Sequence, residues 1–157
     1  MFSNGWKPRL NGHIDVASGG GAYGAGALKG FNQLYTSSNY LGEGQFCQFF
    51  NLSNLLMIEP GIFVALTPRS NIALEYGFAR RLNGNDAVYA GGMRAYAGTQ
   101  NFSGHDIGGL LRIAGSWTVS ESVSLFLNFE HLVAGDVVER AEMPSDSYGY
   151  VGATFRY

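Results

Sequence analysis

The amino-acid sequence predicts an all-β fold, built as one antiparallel, up-and-down meander of about six strands. Three observations support this prediction. Apolar and polar residues alternate with a period of two over several long segments. Tight turns follow some of these segments and long loops follow the others. Charged residues make up 14 % of the chain, well below the roughly 25 % of soluble domains.

The first predicted strand covers residues 6–17, where the alternation is regular. Leu10, Ile14 and Val16 fall on its apolar face. The next segment, residues 18–50, begins with many Gly and small residues and has no sustained period. We therefore expect a long loop there, with room for a short helix or hairpin.

The second predicted strand covers residues 54–67 and the third covers 72–81. Pro60 interrupts the second strand, and because proline cannot donate to the ladder we expect a local bulge at this position. Between the two strands, residues 67–71 contain Pro and Asn, which favour a tight turn.

The second half of the chain continues the same pattern. Its predicted elements are a loop at 82–104, a strand at 105–119, a tight turn at 120–122, a strand at 123–135, a loop at 136–146 and a last strand that ends at 157. Ile107, Leu111 and Ile113 are expected on the apolar face of the first of these strands, and Leu125 and Leu127 on that of the second.

The lengths of the connections favour a membrane protein. Both tight turns, at Pro68 and Glu121, fall at one end of the predicted sheet, and the three longer loops fall at the other. This asymmetry is typical of outer-membrane β-barrels, whose short turns are periplasmic. The chain has no apolar run of about 18 residues, so a membrane-spanning helix is excluded. The sequence therefore predicts part of a transmembrane β-barrel in the bacterial outer membrane.

The last eight residues, 150–157, form a strand with one apolar row. That row contains Val151, Ala153, Phe155 and the terminal Tyr157. A strand that ends in this way resembles the signal by which outer-membrane barrels are recognised by their assembly machinery, and the resemblance implies that this machinery is a partner. The alternative is an edge strand of a soluble sheet that ends in Tyr.

Several short segments are similar to the alginate export family. They are DVASG at 15–19, FNQLY at 31–35, NYLG at 39–42 and HLVAGD at 131–136. The first three resemble a strand and loop near the end of that family, and the fourth, with the strand after it, resembles its closing hairpin. The resemblance implies a barrel of many more strands that exports an anionic uronic-acid polysaccharide. Residues 1–157 would then be the C-terminal portion of that barrel, a fragment whose N-terminal strands are missing.

In that family the pore is lined by Arg and acidic residues, which the resemblance leads us to expect on the polar face here. The candidates are Arg9, Asp15, Glu59, Glu75, Arg81, Arg112, Glu130 and Arg156. Because both signs of charge are present, the sequence does not give the charge selectivity. A three-residue hairpin loop at 120–122 would place Arg112 opposite Glu130. This pair would either present a positive charge to a passing carboxylate or serve as a structural ion pair.

Other chemistry lacks support in the sequence. A formal net charge of −2 gives no basic surface for nucleic acid. His13, His105 and His131 have no metal-ligand spacing, and the lone Cys47 cannot form an internal disulfide. The Gly-rich run at 19–30 lacks the Gly-Lys-Ser/Thr ending of a phosphate-binding loop. We expect no enzyme activity, no metal and no cofactor.

The function that fits these predictions is a passive, porin-like conduit for a polar solute, with an anionic polysaccharide such as alginate implied by the family resemblance. Outer-membrane lipid and the transported polysaccharide are the expected partners. One alternative is a soluble or membrane-linked β-protein that binds a ligand on its concave polar face. Another is a purely structural sheet that anchors its loops to the membrane.

Overall fold

The computed structural model describes residues 6–24, 30–31 and 49–157. Most of the predicted first loop, including Cys47, lies outside the described residues. The segment at 39–42 and all but the first residue of the segment at 31–35 lie outside them as well. The described strands and helix are β1 (Lys7–Ala17), β2 (Leu55–Thr67), β3 (Ser70–Arg80), β4 (Tyr89–Ala90), β5 (Arg94–Ala95), β6 (Asp106–Thr118), β7 (Val123–Ala134), α1 (Asp136–Arg140) and β8 (Asp146–Phe155). No helix in these ranges is long and apolar enough to cross a membrane.

Six strands form one antiparallel sheet in the order β1-β2-β3-β6-β7-β8, so each strand pairs with its neighbour along the chain. The predicted six-stranded meander is thus confirmed. The small β4-β5 hairpin forms a separate two-stranded sheet inside the loop between β3 and β6.

The two predicted tight turns are present and lie at the same end of the sheet, which we call the turn end. Pro68 and Arg69 connect β2 to β3, and the Arg69 amide donates to the Thr67 hydroxyl at 3.1 Å. In the second turn, the Val119 amide donates to the Val123 carbonyl at 2.9 Å, which closes the predicted three-residue loop. The long connections lie at the opposite end, which we call the loop end.

The expected bulge at Pro60 is wrong. Ile58 pairs with Phe78 and Gly61 pairs with Glu75, so the register of β2 with β3 is the same before and after Pro60. Only the pairs between these two are missing. On its other side Pro60 lies opposite Gly12 of β1 without any shift. The missing proline donor therefore affects the ladder locally and leaves the strand direction unchanged.

A bulge occurs instead in β6, and it reverses the expected orientation of Ile107. The register of β3 with β6 shifts at Ala79 and Arg80, next to Gly108, whose φ is 128°. Because the bulge inserts one extra residue, Ile107 points to the same side as Leu110 rather than to that of Leu111. Ile107 is buried with only 1 % exposed, so its assignment to the outward apolar face is wrong.

The two faces of the sheet differ in chemistry. On the face that we call outward, aliphatic and aromatic side chains are exposed, including Leu10, Ile58, Leu74, Phe78, Leu127 and Val151. Apart from Arg80 and Asp106 at the loop end, outward positions of the six strands of this sheet bear no Asp, Glu, Lys or Arg. The charged residues of the strand interiors project from the opposite, inner face.

The hydrophobic core lies on the inner face at the loop end. It consists of Phe49, Phe50, Leu55, Met57, Ala79, Val88, Ile107, Leu110, Leu132, Ala134, Val137 and Val138. These residues come from the strand ends, from the segment before β2, from the loop between β3 and β6 and from α1. The loops therefore fold over the inner face at that end, while the inner face nearer the turns stays accessible.

Candidate functional site

The register of the sheet arranges the inner face in rows that run across the strands. One row contains Asn11, Gly61, Glu75, Arg112, Glu130 and Tyr148, one residue from each strand in sheet order. In the next row toward the loop end, His13 lies opposite Glu59. The predicted alignment of Arg112 with Glu130 is confirmed.

Arg112 is the centre of an ion-pair network. Its Nη1 atom lies 2.5 Å from Glu59 Oε1 and 3.7 Å from Glu75 Oε2. Its Nε atom lies 3.6 Å from Glu130 Oε1. Only 14 % of the Arg112 side chain is exposed. A single guanidinium is therefore shared among carboxylates from three strands, which leaves it little capacity to bind a solute.

His13 extends the network to the edge of the sheet. Its Nε2 atom lies 3.0 Å from Asp15 Oδ2 and 3.5 Å from Glu59 Oε2. On the same strand, the side-chain amide nitrogen of Asn11, Nδ2, donates to Glu75 Oε1 at 2.9 Å. We call this group the charged network, and its members are His13, Asp15, Glu59, Glu75, Arg112 and Glu130.

The charged network has an acidic balance and is largely withdrawn from solvent. It contains four carboxylates and one guanidinium, together with the imidazole of His13. Glu59, the acidic partner of both Arg112 and His13, is only 1 % exposed. Removing one partner of a buried ion pair leaves an uncompensated charge, so the network has to persist as a unit.

Arg81, a predicted pore-lining residue, lies elsewhere, under the loops. Its side chain is buried and donates to backbone carbonyls only: Nε to Gly104 at 2.7 Å, Nη1 to Asp86 at 2.7 Å and to Thr99 at 2.8 Å, and Nη2 to Phe102. Burial lowers the pKa of Arg81 from its ordinary value, and the nearby Arg140 charge acts in the same direction. Arg81 therefore fixes the loop between β3 and β6 in place.

Asp86 joins this loop to the segment after β1. Its Oδ2 atom accepts a hydrogen bond from the Gly20 amide at 2.6 Å. Its Oδ1 atom accepts one from the Tyr89 hydroxyl at 2.8 Å. Burial raises the pKa of Tyr89, and the Asp86 carboxylate adds to this effect, so Tyr89 remains a neutral donor.

The remaining candidates, Arg9 and Arg156, lie at the turn end, apart from the charged network. The Arg9 guanidinium stacks over the Phe63 ring, with its carbon 4.7 Å from the ring centroid. The Arg156 amide donates to the Ser122 carbonyl at 2.9 Å, which places Arg156 beside the second turn. Lys7 and Arg69 also lie at the turn end. Among the described residues at this end, Glu121 is the acidic one, so the charge there is positive on balance.

Aromatic residues on the inner face were not assigned a role from the sequence. Phe126, Tyr148 and Tyr150 lie on β7 and β8 and contact one another in a chain. Alternation alone could have placed them on the polar side, but it does not distinguish a structural aromatic residue from one that contacts a solute. Among the residues described, no three His, Cys, Asp or Glu side chains are arranged to hold a metal ion.

Comparison with known proteins gives one family. Residues 1–151 match the family described as alginate export, which covers nearly the whole chain. No curated protein and no solved structure matches the chain. The chain belongs to the alginate export family.

Proposed function

We propose that the sheet forms part of the wall of a bacterial outer-membrane channel that exports an anionic polysaccharide such as alginate. The alginate export family is a family of transport proteins rather than enzymes, which supports a conduit over a catalyst. In this proposal the outward face contacts lipid, the inner face lines the lumen and the turn end is periplasmic.

The separation of the two faces is the observation that carries the proposal. Large aliphatic side chains such as Leu10, Leu74 and Leu127 are exposed on the outward face, where a soluble sheet would have polar residues. Outer-membrane strands have the opposite arrangement to a soluble sheet, with apolar residues outside and polar residues inside. The charged and polar side chains of the inner face fit the polar interior of such a barrel.

The free edges of the sheet fit the same proposal. Within the described residues, β1 and β8 each pair with a neighbour on one side only. Unpaired backbone N–H and C=O groups cannot face lipid, because each would raise the free energy by several kcal/mol. We propose that further strands pair with these two edges and close the barrel, and that β8 contacts the assembly machinery during insertion.

The charges along the lumen suggest how an anionic polymer would be handled. Lys7, Arg9, Arg69 and Arg156 at the turn end would attract it from the periplasm. Farther in, Arg112 is neutralised by its carboxylate partners and offers no strong binding site. Attraction at the entrance without tight binding inside is what conduction requires.

The test is single-channel recording of the complete channel in planar bilayers. We expect an open pore whose current is interrupted by a polyuronate added on the turn side, more often than by neutral dextran of equal length. Because exposed charges are screened by salt, this difference should shrink as ionic strength rises. A complete protein that stays soluble without detergent, or that inserts without conducting, would refute the proposal.

A further inference from the structure

The inner face has a second feature near the turn end, separate from the charged network. Phe126 on β7 lies between Ser116 of β6 and Gly152 of β8 in the register. Phe126 is 36 % exposed although it lies among short residues on the polar side of the sheet. Neither ion pairing nor the hydrophobic core accounts for an exposed phenyl ring at this position.

Gly152 determines how the ring lies. A Cβ atom at residue 152 would be 2.1 Å from Phe126 Cζ, so the ring occupies the space that a side chain on β8 would fill. The ring therefore extends sideways across β8 instead of projecting straight from the sheet. This position supports one side of the ring on the backbone and leaves the other side toward the lumen.

The aromatic contact continues along β8. The Phe126 and Tyr150 ring centroids are 6.0 Å apart at 75°, and the Tyr150 and Tyr148 centroids are 5.8 Å apart. Tyr148 lies opposite Glu130, so this row leads from the turn end to the charged network. The first of these contacts is edge-to-face, an arrangement that aromatic pairs favour, and the second is tilted at 45°.

A polar pair lies on the other side of Phe126. Asn71 Nδ2 donates to Ser116 Oγ at 2.7 Å, and Ser116 is exposed. Because Ser116 accepts in this bond, its own hydroxyl hydrogen can be donated to a further acceptor. The surface thus combines a flat apolar ring with a short hydroxyl side chain on the neighbouring strand.

We propose that Phe126 and Tyr150, with Ser116, form a stacking subsite for pyranose rings on the lumen wall. A pyranose has apolar C–H faces and a rim of hydroxyl groups, which match a phenyl face and a hydroxyl donor respectively. The inference rests on the proposed function, because that function brings a polysaccharide to this wall. It adds a contact that depends on the sugar ring and not on the charge of the polymer.

The test compares blocking events in single-channel records of the complete channel, with a polyuronate as the probe. In Phe126→Leu, the flat ring is lost while an apolar side chain remains. We expect the mean duration of each event to fall by about 2- to 10-fold, which is the range that an aromatic contact supplies. Phe126→Tyr keeps the ring and should keep the duration.

Phe129→Leu is the matched control, because Phe129 lies on the same strand but faces outward. Its event duration should equal that of the unchanged protein. Tyr150→Leu is a second variant, so the subsite can still be tested should Phe126→Leu fail to assemble. Events of unchanged duration in folded Phe126→Leu and Tyr150→Leu channels would overturn the subsite and leave the channel intact. An unchanged protein that no polyuronate interrupts would instead refute the proposed function.

Discussion

Arg112 illustrates what the sequence could and could not predict about a single residue. The hairpin at 120–122 was enough to place Arg112 opposite Glu130. Its shortest contact, however, is with Glu59 on β2, which is separated from β6 by β3. The pairing of facing residues predicts contacts between adjacent strands only, whereas a long Arg side chain can reach the strand beyond its neighbour. The ion-pair partners of such a residue therefore require the packed structure.

The geometry favours a structural role for Arg112, and this leads to a stability prediction. Arg112→Gln would leave Glu59 buried without its cation, so we expect a loss of about 3 kcal/mol in the free energy of unfolding. Urea titration of the complete protein in vesicles measures this change. Arg9→Gln is the control, because Arg9 is exposed and should change stability by less than about 1 kcal/mol.

Adding Glu59→Gln to Arg112→Gln removes the orphaned charge as well. The double variant should regain most of the lost stability, since both partners of the buried pair are then neutral. If Arg112→Gln proved as stable as Arg9→Gln, the charged network would have no structural role.

Arg81 gives a second prediction, on the order of the loops. Arg81→Met removes the side-chain hydrogen bonds that Arg81 donates to the carbonyls of Asp86, Thr99, Phe102 and Gly104, and so deprives these buried and partly buried acceptors of a donor. We expect proteases to cut the segment at 82–104 at least several times faster, while the sheet stays folded. Arg80→Met, at an exposed neighbouring position, should leave the cleavage rate unchanged. Equal cleavage in the two variants would contradict the role assigned to Arg81.

At the scale of elements, alternation predicted the strands well and failed where the backbone departs from a regular ladder. The strand limits agree closely because the polar and apolar rows remain in phase over most of each strand. At Gly108 one extra residue changes that phase, and the sequence gives no separate signal for it beyond the glycine itself. The β4-β5 hairpin and α1 were also missed, because they are too short to establish a period.

The bulge provides a prediction at this scale. Gly108 has a φ of 128°, and a Cβ atom there would lie 2.0 Å from the Val133 carbonyl oxygen. Gly108→Ala should therefore lower the free energy of unfolding by at least about 1–3 kcal/mol. Gly115→Ala is the matched control on the same strand, where the nearest atom to the new Cβ lies at 3.7 Å. Similar urea midpoints for the two variants would argue against a strained, glycine-dependent bulge.

The outward face of β7 provides another prediction at the scale of elements. Leu127 is exposed on that face, and in the proposed channel a charge placed there would lie within the membrane and should cost about 2–4 kcal/mol. Ser116→Arg is a control at similar depth, since Ser116 lies on the inner face opposite Phe126. We expect Leu127→Arg to unfold at clearly lower urea concentration in vesicles than Ser116→Arg. Equal losses would mean that the two faces have been assigned wrongly.

At the scale of the whole molecule, the sequence predicted a sheet with two unlike faces, and the structure has that sheet. The closure of the barrel belongs to the proposal, because it depends on strands that would pair with β1 and β8. Neither composition nor alternation within a strand specifies what lies beyond an edge. The energetics of an unpaired edge in lipid do constrain it, and they allow a direct test.

The six strands of the large sheet fall short of the roughly eight found in the smallest single-chain outer-membrane barrels. If β1 and β8 require partner strands, the 157-residue chain alone should not insert stably, because the open backbone edges would face hydrocarbon. We expect the refolded chain to remain fully digestible by added protease in the presence of lipid vesicles and to lack a heat-resistant band on gels. The complete channel, treated in parallel, should be protected. A protected, heat-resistant monomer formed by the 157 residues alone would show that they close into a barrel without further strands.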